Sequence, residues 1–295
     1  MDQEDKKKIL KAGKLLSEAR EYAREFIKKD MPLLEIAEKI EEKIFELGGK
    51  PAFPTGLSIN DIAAHYTPSH DDKTIAHGLL KVDLGLHIDG WSADTAFSID
   101  FENSKENKKI IEASEKALEN VIKNIKKDIE IKEIGKIVQE AIKSFGFSPI
   151  VNLSGHQIEE FNLHAGVSIP NFDNKNKNLL SEGLYAIEPF ATSGNGKVYD
   201  GKPSGIYQLI NEKNIRNPIA RQVLKLIKEE YQTLPFCSRW IIKKLGTKAL
   251  IGLKQLEENQ NLHHHDVLIE KSHKNVAQTE HTILVEDDKI IVTTE

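Results

Sequence analysis

The feature that most constrains the fold of this chain is an internal repeat with an offset of 98 residues. The segment IKKD occurs at 27–30 and at 125–128, and EIAEKIEEKIFELGGKP at 35–51 aligns without gaps on EIGKIVQEAIKSFGFSP at 133–149. Each copy has helical periodicity and ends at a glycine, which predicts a long helix, a break and a second helix. Lys/Glu/Ile helices can match by chance, but this match continues through the loop. We therefore interpret the repeat as a duplication.

Strands are expected after the helices in both halves. The segment GLLKVDLG has a counterpart in GLYAIEPF, and ADTAFSI has one in TEHTILV. This alignment pairs Asp83 with Glu188 and Asp94 with Glu280. If the halves pack about a pseudo-twofold axis, the four carboxylates converge on it. So much negative charge in one place predicts a centre for about two divalent cations.

The first acidic pair lies in a predicted β-hairpin. KVDLGLHIDGWSADTAFSID alternates polar and apolar residues on both sides of Asp-Gly at 89–90, a dipeptide that favours a two-residue type I′ turn. In that register Asp83 lies opposite Ala96 and Asp94 opposite Gly85, with the aspartates about 7 Å apart and open space above the small residues. Solvated carboxylates are the common interpretation of such a pair. Two like charges without a base between them favour a bound cation instead.

Composition limits the classes of function. The 295 residues are enough for one large domain with an insertion, and the net charge of −5 gives no basic footprint for nucleic acid. Cys237 is the single cysteine, which excludes an internal disulfide and any multi-cysteine metal site. The charged N-terminus does not resemble a signal peptide, and no apolar run approaches membrane-spanning length. A cytoplasmic protein that needs neither nucleic acid nor a membrane is expected.

The second half contains an insertion. Between Glu188 and Glu280 lie 91 residues, whereas ten separate the first acidic pair. About 60 to 80 residues therefore interrupt the second hairpin, as loop tips tolerate. The segment predicts three short helices and a strand or wing, which would form a winged-helix-like subdomain at 197–265 within a catalytic domain at 1–196 and 266–295. The absence of a basic stripe favours a structural or cleft role for it over DNA binding.

Histidines add to the acidic centre. His156 and His164 follow the second repeat helix, and His65 occupies nearly the same place as His164 in the first half, so we expect these two on opposite flanks of the centre. With four acids they predict a His–carboxylate dinuclear site. The tract His263–His265 is far from the acids in sequence, which favours a structural role. His281 follows an acid on a strand and should point to the opposite face.

These residues resemble a known family. Five of them match the ligand pattern of methionine aminopeptidases and their pita-bread relatives: Asp83, Asp94, His156, Glu188 and Glu280. PAFPTGLSIN, AAHYTP, GHQI, LHAG, IEPF and AQTEHTILV resemble the type 2 enzymes over essentially the whole chain, and the lack of a long N-terminal extension is similar to the archaeal members. The resemblance implies an α+β pita-bread fold with a pseudo-twofold repeat and an inserted helical subdomain.

The resemblance also implies an activity, which is removal of the N-terminal methionine from nascent proteins by a metal-activated hydroxide, with small second residues preferred. It implies two divalent metal ions, drawn from Co, Mn, Fe or Zn. Asp94 and Glu280 would bridge them, Asp83 would complete one site, and His156 with Glu188 the other. Glu188 would also shuttle a proton. A monomer that meets its substrates at the ribosome is the expectation for partners.

Four further residues acquire roles from the same resemblance. His65 and His164 would bind substrate and stabilise the oxyanion, and Phe53 and Leu163 would line the methionine pocket. The chain departs from the family at Ile206-Tyr207, where a His-Tyr pair is frequent. This departure affects one pocket contact and leaves the chemistry unchanged.

Two alternatives stay open on the sequence alone. An Xaa-Pro dipeptidase or aminopeptidase uses the same five ligands on the same fold, but such chains usually carry an additional N-terminal domain and lack this kind of insertion. A non-catalytic relative that binds RNA or protein is the second alternative. Such relatives tend to lose ligands, and all five positions are present here.

Overall fold

Two pairs of helices carry the repeat in the computed structural model, which describes residues 2–287 and 289–295. Their bounds are α1 Gln3–Phe26, α2 Leu33–Glu46, α3 Lys105–Asn124 and α4 Ile131–Ser144. The residue before each second helix repeats a left-handed backbone, with φ of 66° at Asp30 and 62° at Asp128. After each second helix, Gly48 and Gly146 have φ of 86° and 83°, which suits glycine at a helix C-terminus. The predicted duplication is therefore confirmed in backbone detail.

The helices begin where side chains cap them. The carboxylate of Asp2 accepts from the backbone N–H groups of Glu4 and Asp5, both at 2.8 Å, and Ser104 caps α3 by accepting from Asn107. Such caps satisfy N–H groups that have no partner within the helix. The apolar face of each pair packs on its own half: one core cluster lies under α1 and α2, and a second under α3 and α4.

Sixteen strands are described in the part of the chain that the structure covers. In the first half they are β1 Lys50–Pro51, β2 Gly56–Ile59, β3 Ile62–Ala64, β4 Leu79–Ile88 and β5 Trp91–Asp100. The second half contains β6 Ser148–Pro149, β7 Ser154–Ile158, β8 Ser168–Pro170, β9 Gly183–Ile187, β10 Phe190–Thr192, β11 Val198–Leu209, β12 Phe236–Cys237, β13 Leu262–Glu270, β14 Val276–Gln278, β15 His281–Glu286 and β16 Lys289–Val292. All the pairs between them are antiparallel.

The strands form four sheets. In the first half β4 pairs with β1, β2 and β5, and in the second the order is β16-β15-β9-β7-β8. A short sheet β14-β10-β6 lies with the second half, and β12-β11-β13-β3 joins the inserted segment to the first half. Helices and antiparallel sheets therefore combine in the predicted α+β class.

The β4–β5 hairpin has the predicted register. Asp83 pairs with Ala96 and Gly85 pairs with Asp94. The turn residues at 89–90 have φ of 47° and 91°, and positive φ at both positions is what a type I′ turn requires. The hairpin prediction is confirmed.

The two halves meet along β5 and β15. The backbone N–H of Glu280 donates to the carbonyl oxygen of Ala96 at 3.0 Å, and the hydroxyl of Thr95 donates to the carbonyl oxygen of Glu280 at 2.8 Å. Glu188 directly follows β9, which pairs with β15. All four acidic positions consequently lie where the halves join.

The inserted segment contains the three helices expected from its sequence, α5 Pro218–Glu230, α6 Ser238–Leu245 and α7 Ala249–Glu258. They pack with β11, β12 and β13 around a separate apolar cluster. A buried ion pair between Arg239 on α6 and Glu41 on α2, with N–O distances of 2.7 and 2.8 Å, ties this segment to the first half. Among the described residues, no helix is long and apolar enough to cross a membrane.

Candidate metal centre

The five residues predicted as ligands line one cavity of about 280 Å³. They come from separate elements: Asp83 from β4, Asp94 from β5, His156 from β7, Glu188 from the end of β9 and Glu280 from the start of β15. Asp94, His156 and Glu280 are buried, with exposed fractions of 3, 7 and 2%. The fold thus brings together residues that are up to 197 positions apart in the sequence.

The tightest group in the cavity is Asp94, His156 and Glu280. One ligand atom from each lies within 4.8 Å of the others. The Nε2 atom of His156 is 3.6 Å from Oδ2 of Asp94. Asp83 and Glu188 are connected to the group through the side-chain amide of Gln278, whose Nε2 lies 3.2 and 3.3 Å from their carboxylates.

Several polar atoms of this group are buried without a hydrogen-bond partner. They are Oδ1 of Asp83, Oδ1 of Asp94, Oε1 of Glu280 and Nδ1 of His156. A buried carboxylate oxygen without a partner is costly because it loses hydration and gains nothing in return. Carboxylate oxygen and imidazole nitrogen are ligands that divalent transition metals accept. The residues therefore fit a divalent cation.

The electrostatics of the cluster agree with this. Burial raises the pKa of Asp83 to about 6, and burial together with the neighbouring carboxylates raises the pKa of Asp94, Glu188 and Glu280 well above the ordinary range. Burial lowers the pKa of His156 to about 3, so its imidazole is neutral and able to ligate. Without a cation, the cluster holds protons in place of the missing positive charge.

The two predicted substrate-binding histidines lie in the cavity wall. His65 has a left-handed backbone, with φ of 64°, a conformation that costs energy in a non-glycine residue and is concentrated at functional sites. Its Nδ1 is 3.2 Å from the carbonyl oxygen of Asp266. The ring of His164 packs edge-to-face on that of His156, with centroids 4.4 Å apart. Burial lowers the pKa of His65, and it lowers that of His164 to about 4, so both rings are neutral.

The apolar wall contains the predicted Phe53 and Leu163. The ring of Phe53 lies directly over Gly85: a Cβ at Gly85 would come within 2.2 Å of it. The expectation of open space above the hairpin is wrong at this point, because the glycine makes room for an aromatic wall. Ile206 also lines the cavity at the position where the family often has histidine.

Sequence reasoning missed two residues of the site, Gln278 and His265. Gln278 lies in a segment that was used only for its glutamate. His265 was assigned a structural role, but it pairs across the strands with Ile206 and lines the cavity, 5.5 Å from His65 between ring centroids. The β11–β13 register decides this, and sequence distance from the acids carried no information about it.

The remaining histidines of the tract and His281 lie outside the cavity wall. The ring of His264 stacks on Tyr207 at 4.0 Å, and its Nδ1 is 3.2 Å from Glu257. His281 contacts Thr294 through Nδ1 at 2.9 Å, on the face away from the acids. The predicted direction of His281 is confirmed.

Comparison with known proteins gives consistent results. Residues 7–287 match the model of metallopeptidase family M24. A methionine aminopeptidase of Pyrococcus horikoshii is 46% identical over 300 residues, which cover 99% of this chain and all of that protein. One of Methanocaldococcus jannaschii is 43% identical over 297 residues, covering the whole of both. The solved structure of a thermophilic Arx1 superposes with a TM-score of 0.86 at 15% identity, over 99% of this chain and 91% of that one, and shares its fold.

Proposed function

The chain belongs to metallopeptidase family M24, and we propose from this premise how its acidic cavity removes the N-terminal methionine of a polypeptide. The activity is that of a metal-dependent methionine aminopeptidase, and the pita-bread fold is the predicted one. The near-complete match to methionine aminopeptidases favours methionine removal over Xaa-Pro cleavage or a non-catalytic role.

The observation that carries the mechanism is the set of buried, unpartnered carboxylate oxygens. We assign two divalent cations to it. Asp94 and Glu280 are shared between them, Asp83 completes one site, and His156 with Glu188 completes the other. When bound, such cations supply Lewis acidity at the scissile carbonyl and lower the pKa of the attacking water.

Glu188 is the proposed acid–base group. Its carboxylate accepts a proton from the attacking water and passes it to the departing amino group of the second residue. The surroundings suit this task, since burial and the nearby Asp83 and Asp94 raise the pKa of Glu188 and so favour holding a proton. Gln278, 3.3 Å away, limits the directions in which this carboxylate can turn.

His65 and His164 take complementary parts in binding the first peptide bond. A carbonyl oxygen can only accept a hydrogen bond, so the contact with Asp266 places the proton of neutral His65 on Nδ1. Its Nε2 is then an acceptor for a substrate N–H. Neutral His164 has one N–H to donate, and we assign it to the carbonyl oxygen that becomes negative in the transition state.

The methionine side chain is assigned to the apolar wall formed by Phe53 and Leu163, beside Ile206. An aromatic ring makes favourable contacts with a thioether sulfur. An apolar slot of this kind discriminates by about 1–3 kcal/mol per methylene group. The expected preference for a small second residue belongs to the same proposal.

The cellular setting follows from the activity. We infer that the substrates are N-termini of nascent polypeptides, met in the cytoplasm and at the ribosome, and that the enzyme acts as a monomer. The net charge of −5 supports substrate recognition without nucleic acid. Light scattering of the purified protein and its co-sedimentation with ribosomes test these points separately.

The activity test uses chelator-stripped protein to which Mn²⁺ or Co²⁺ is returned. Free amino acids are measured from Met-Ala-Ser and from Ala-Pro-Ser, with Asp94→Asn as the inactive variant. Glu140→Gln, which removes an exposed carboxylate on α4, is the matched control. We expect metal-dependent release of methionine alone by the parent and by Glu140→Gln. Cleavage before proline would establish the alternative peptidase, and no release from either peptide with metal bound would contradict an enzyme.

A further inference from the structure

A single amide faces three of the four carboxylates in the cavity. The side chain of Gln278, at the end of β14, is 1% exposed. Its Nε2 lies 3.2 Å from Oδ2 of Asp83, 3.3 Å from Oε2 of Glu188 and 3.5 Å from Oε2 of Glu280. Asp83 belongs to the first half of the molecule and the two glutamates to the second. The amide therefore touches acids from both sides of the pseudo-twofold axis.

The chemistry of the amide fixes its orientation. An amide has two hydrogens on nitrogen and none on oxygen, and carboxylate oxygens accept. With its oxygen turned inwards, Gln278 would present a partial negative charge to three acids. With nitrogen inwards, two hydrogens are shared among three acceptors, which agrees with distances at the long end of the hydrogen-bond range. Gln278 is thus a shared donor at the centre of the acids.

The backbone that carries this amide is held by other contacts. The hydroxyl of Ser98 donates to the carbonyl oxygen of Gln278 at 2.8 Å and accepts from its N–H at 3.0 Å. Two residues earlier, the buried ammonium of Lys81 donates to the carbonyl oxygen of Val276 at 2.9 Å. Gln278 also pairs with Phe190 of β10. The position of the amide therefore does not depend on a cation.

We propose that Gln278 is a positioning residue, which holds the carboxylates of Asp83, Glu188 and Glu280 at the spacing that the cations need before any cation arrives. The proposal rests on the function proposed above. Like charges repel, so without a central donor these side chains would turn apart and have to be drawn back on binding. Groups that orient ligands in this way typically account for 10- to 100-fold in metal affinity.

The test compares Gln278→Met with the parent and with Thr192→Val. Methionine keeps the length and approximate volume of glutamine but cannot donate. Thr192→Val is the matched control, because it removes the buried hydroxyl that bonds to Asn275 and Gly194 beside β14 and does not contact the acids. Chelator-stripped proteins are titrated with Mn²⁺ by calorimetry, and their melting temperatures are measured without metal.

We expect Gln278→Met to bind Mn²⁺ about 10-fold more weakly than the parent, and Thr192→Val to bind within twofold of it. If Gln278→Met also binds within twofold, the proposal is overturned. Methionine release by the parent is scored separately. A parent that binds Mn²⁺ and releases methionine, beside an unchanged Gln278→Met, would therefore overturn this inference and leave the proposed function intact.

A second variant keeps the test decisive if Gln278→Met does not fold. Gln278→Glu has nearly the same shape but replaces the donor with a further acceptor among the acids. Without metal we expect it to melt at a lower temperature than the parent and Thr192→Val at pH 8, and to gain more from saturating Mn²⁺ than either. Equal melting temperatures and equal gains would contradict a positioning role.

Discussion

The hydroxyl of Thr282 bridges the two polar ends of the Asp94 backbone. It accepts from the N–H of Asp94 at 2.7 Å and donates to the carbonyl oxygen of Asp94 at 2.8 Å. Thr282 lies on β15 and Asp94 on β5, so one buried hydroxyl joins the two halves at the acidic centre. This contact helps to set the spacing between Asp94 and Glu280.

Replacing Thr282 with valine should test the importance of this bridge. The variant leaves a buried N–H and a buried carbonyl oxygen without their partner, which costs about 1–3 kcal/mol for each such group. We expect the free energy of unfolding, measured by urea denaturation, to fall by about that amount, and methionine release to fall with it. Thr282→Ser keeps the hydroxyl and is the control. A valine variant as stable as the serine variant would show that the bridge contributes little.

The acidic cluster predicts an unusual pH dependence for the metal-free protein. Burial raises the pKa of Asp83 from 3.8 to about 6. Because the folded state then binds this proton more tightly than the unfolded state, ionisation of Asp83 lowers stability as the pH rises from about 4 to beyond 6. At pH 8 the cost is about 3 kcal/mol, from roughly 1.4 kcal/mol per pKa unit.

Asp83→Asn isolates this effect from the opposing effect of the buried histidines. In chelator we expect the variant to melt several degrees above the parent at pH 8, with the difference disappearing towards pH 4 as the parent takes up its proton. With saturating Mn²⁺ the order should reverse, because the variant lacks a ligand. Melting curves across pH provide the measurement, and a difference independent of pH would refute the assigned pKa shift.

His164 is expected to act on the rate with little effect on cation binding. Its replacement by alanine removes the donor assigned to the developing oxyanion, and loss of one such donor typically lowers kcat by about 10²- to 10³-fold. The Kd for Mn²⁺ should stay within a few-fold of the parent value. His77→Asn, at an exposed position, is the control. If kcat stays within twofold, the role is wrong; if cation binding is lost, His164 supports His156 structurally.

The ion pair between Arg239 and Glu41 should hold the inserted segment in place. Both side chains are buried, and Trp240 also donates to the same carboxylate at 2.8 Å. Arg239→Met leaves the charge of Glu41 buried and uncompensated, a change that typically costs 3–5 kcal/mol. We expect the double variant Arg239→Met/Glu41→Leu to recover much of the loss in urea denaturation. A double variant as unstable as the single one would indicate that packing, and not charge, is lost.

Local patterns in the sequence were enough to predict much of this architecture. The offset of 98 residues predicted both helix pairs, and the Asp-Gly turn predicted the register that places Asp83 opposite Ala96. Helical periodicity and turn chemistry act between residues that are close in the chain. The duplication then extended these local rules across the molecule, because equivalent positions in two similar halves converge on their shared axis. The five predicted ligands lie together for that reason.

Only the tertiary structure decided what surrounds those ligands. Gln278 touches Asp83 across 195 positions of sequence, and His265 reaches the cavity because β13 pairs with β11 in one register. Phe53 fills the space over Gly85, which from the hairpin alone should be open. These contacts depend on how the halves and the insertion pack, since packing sets the direction and the neighbours of each side chain. A repeat or a turn carries no information about such distant contacts, so the acids were predictable and the side chains that position them were not.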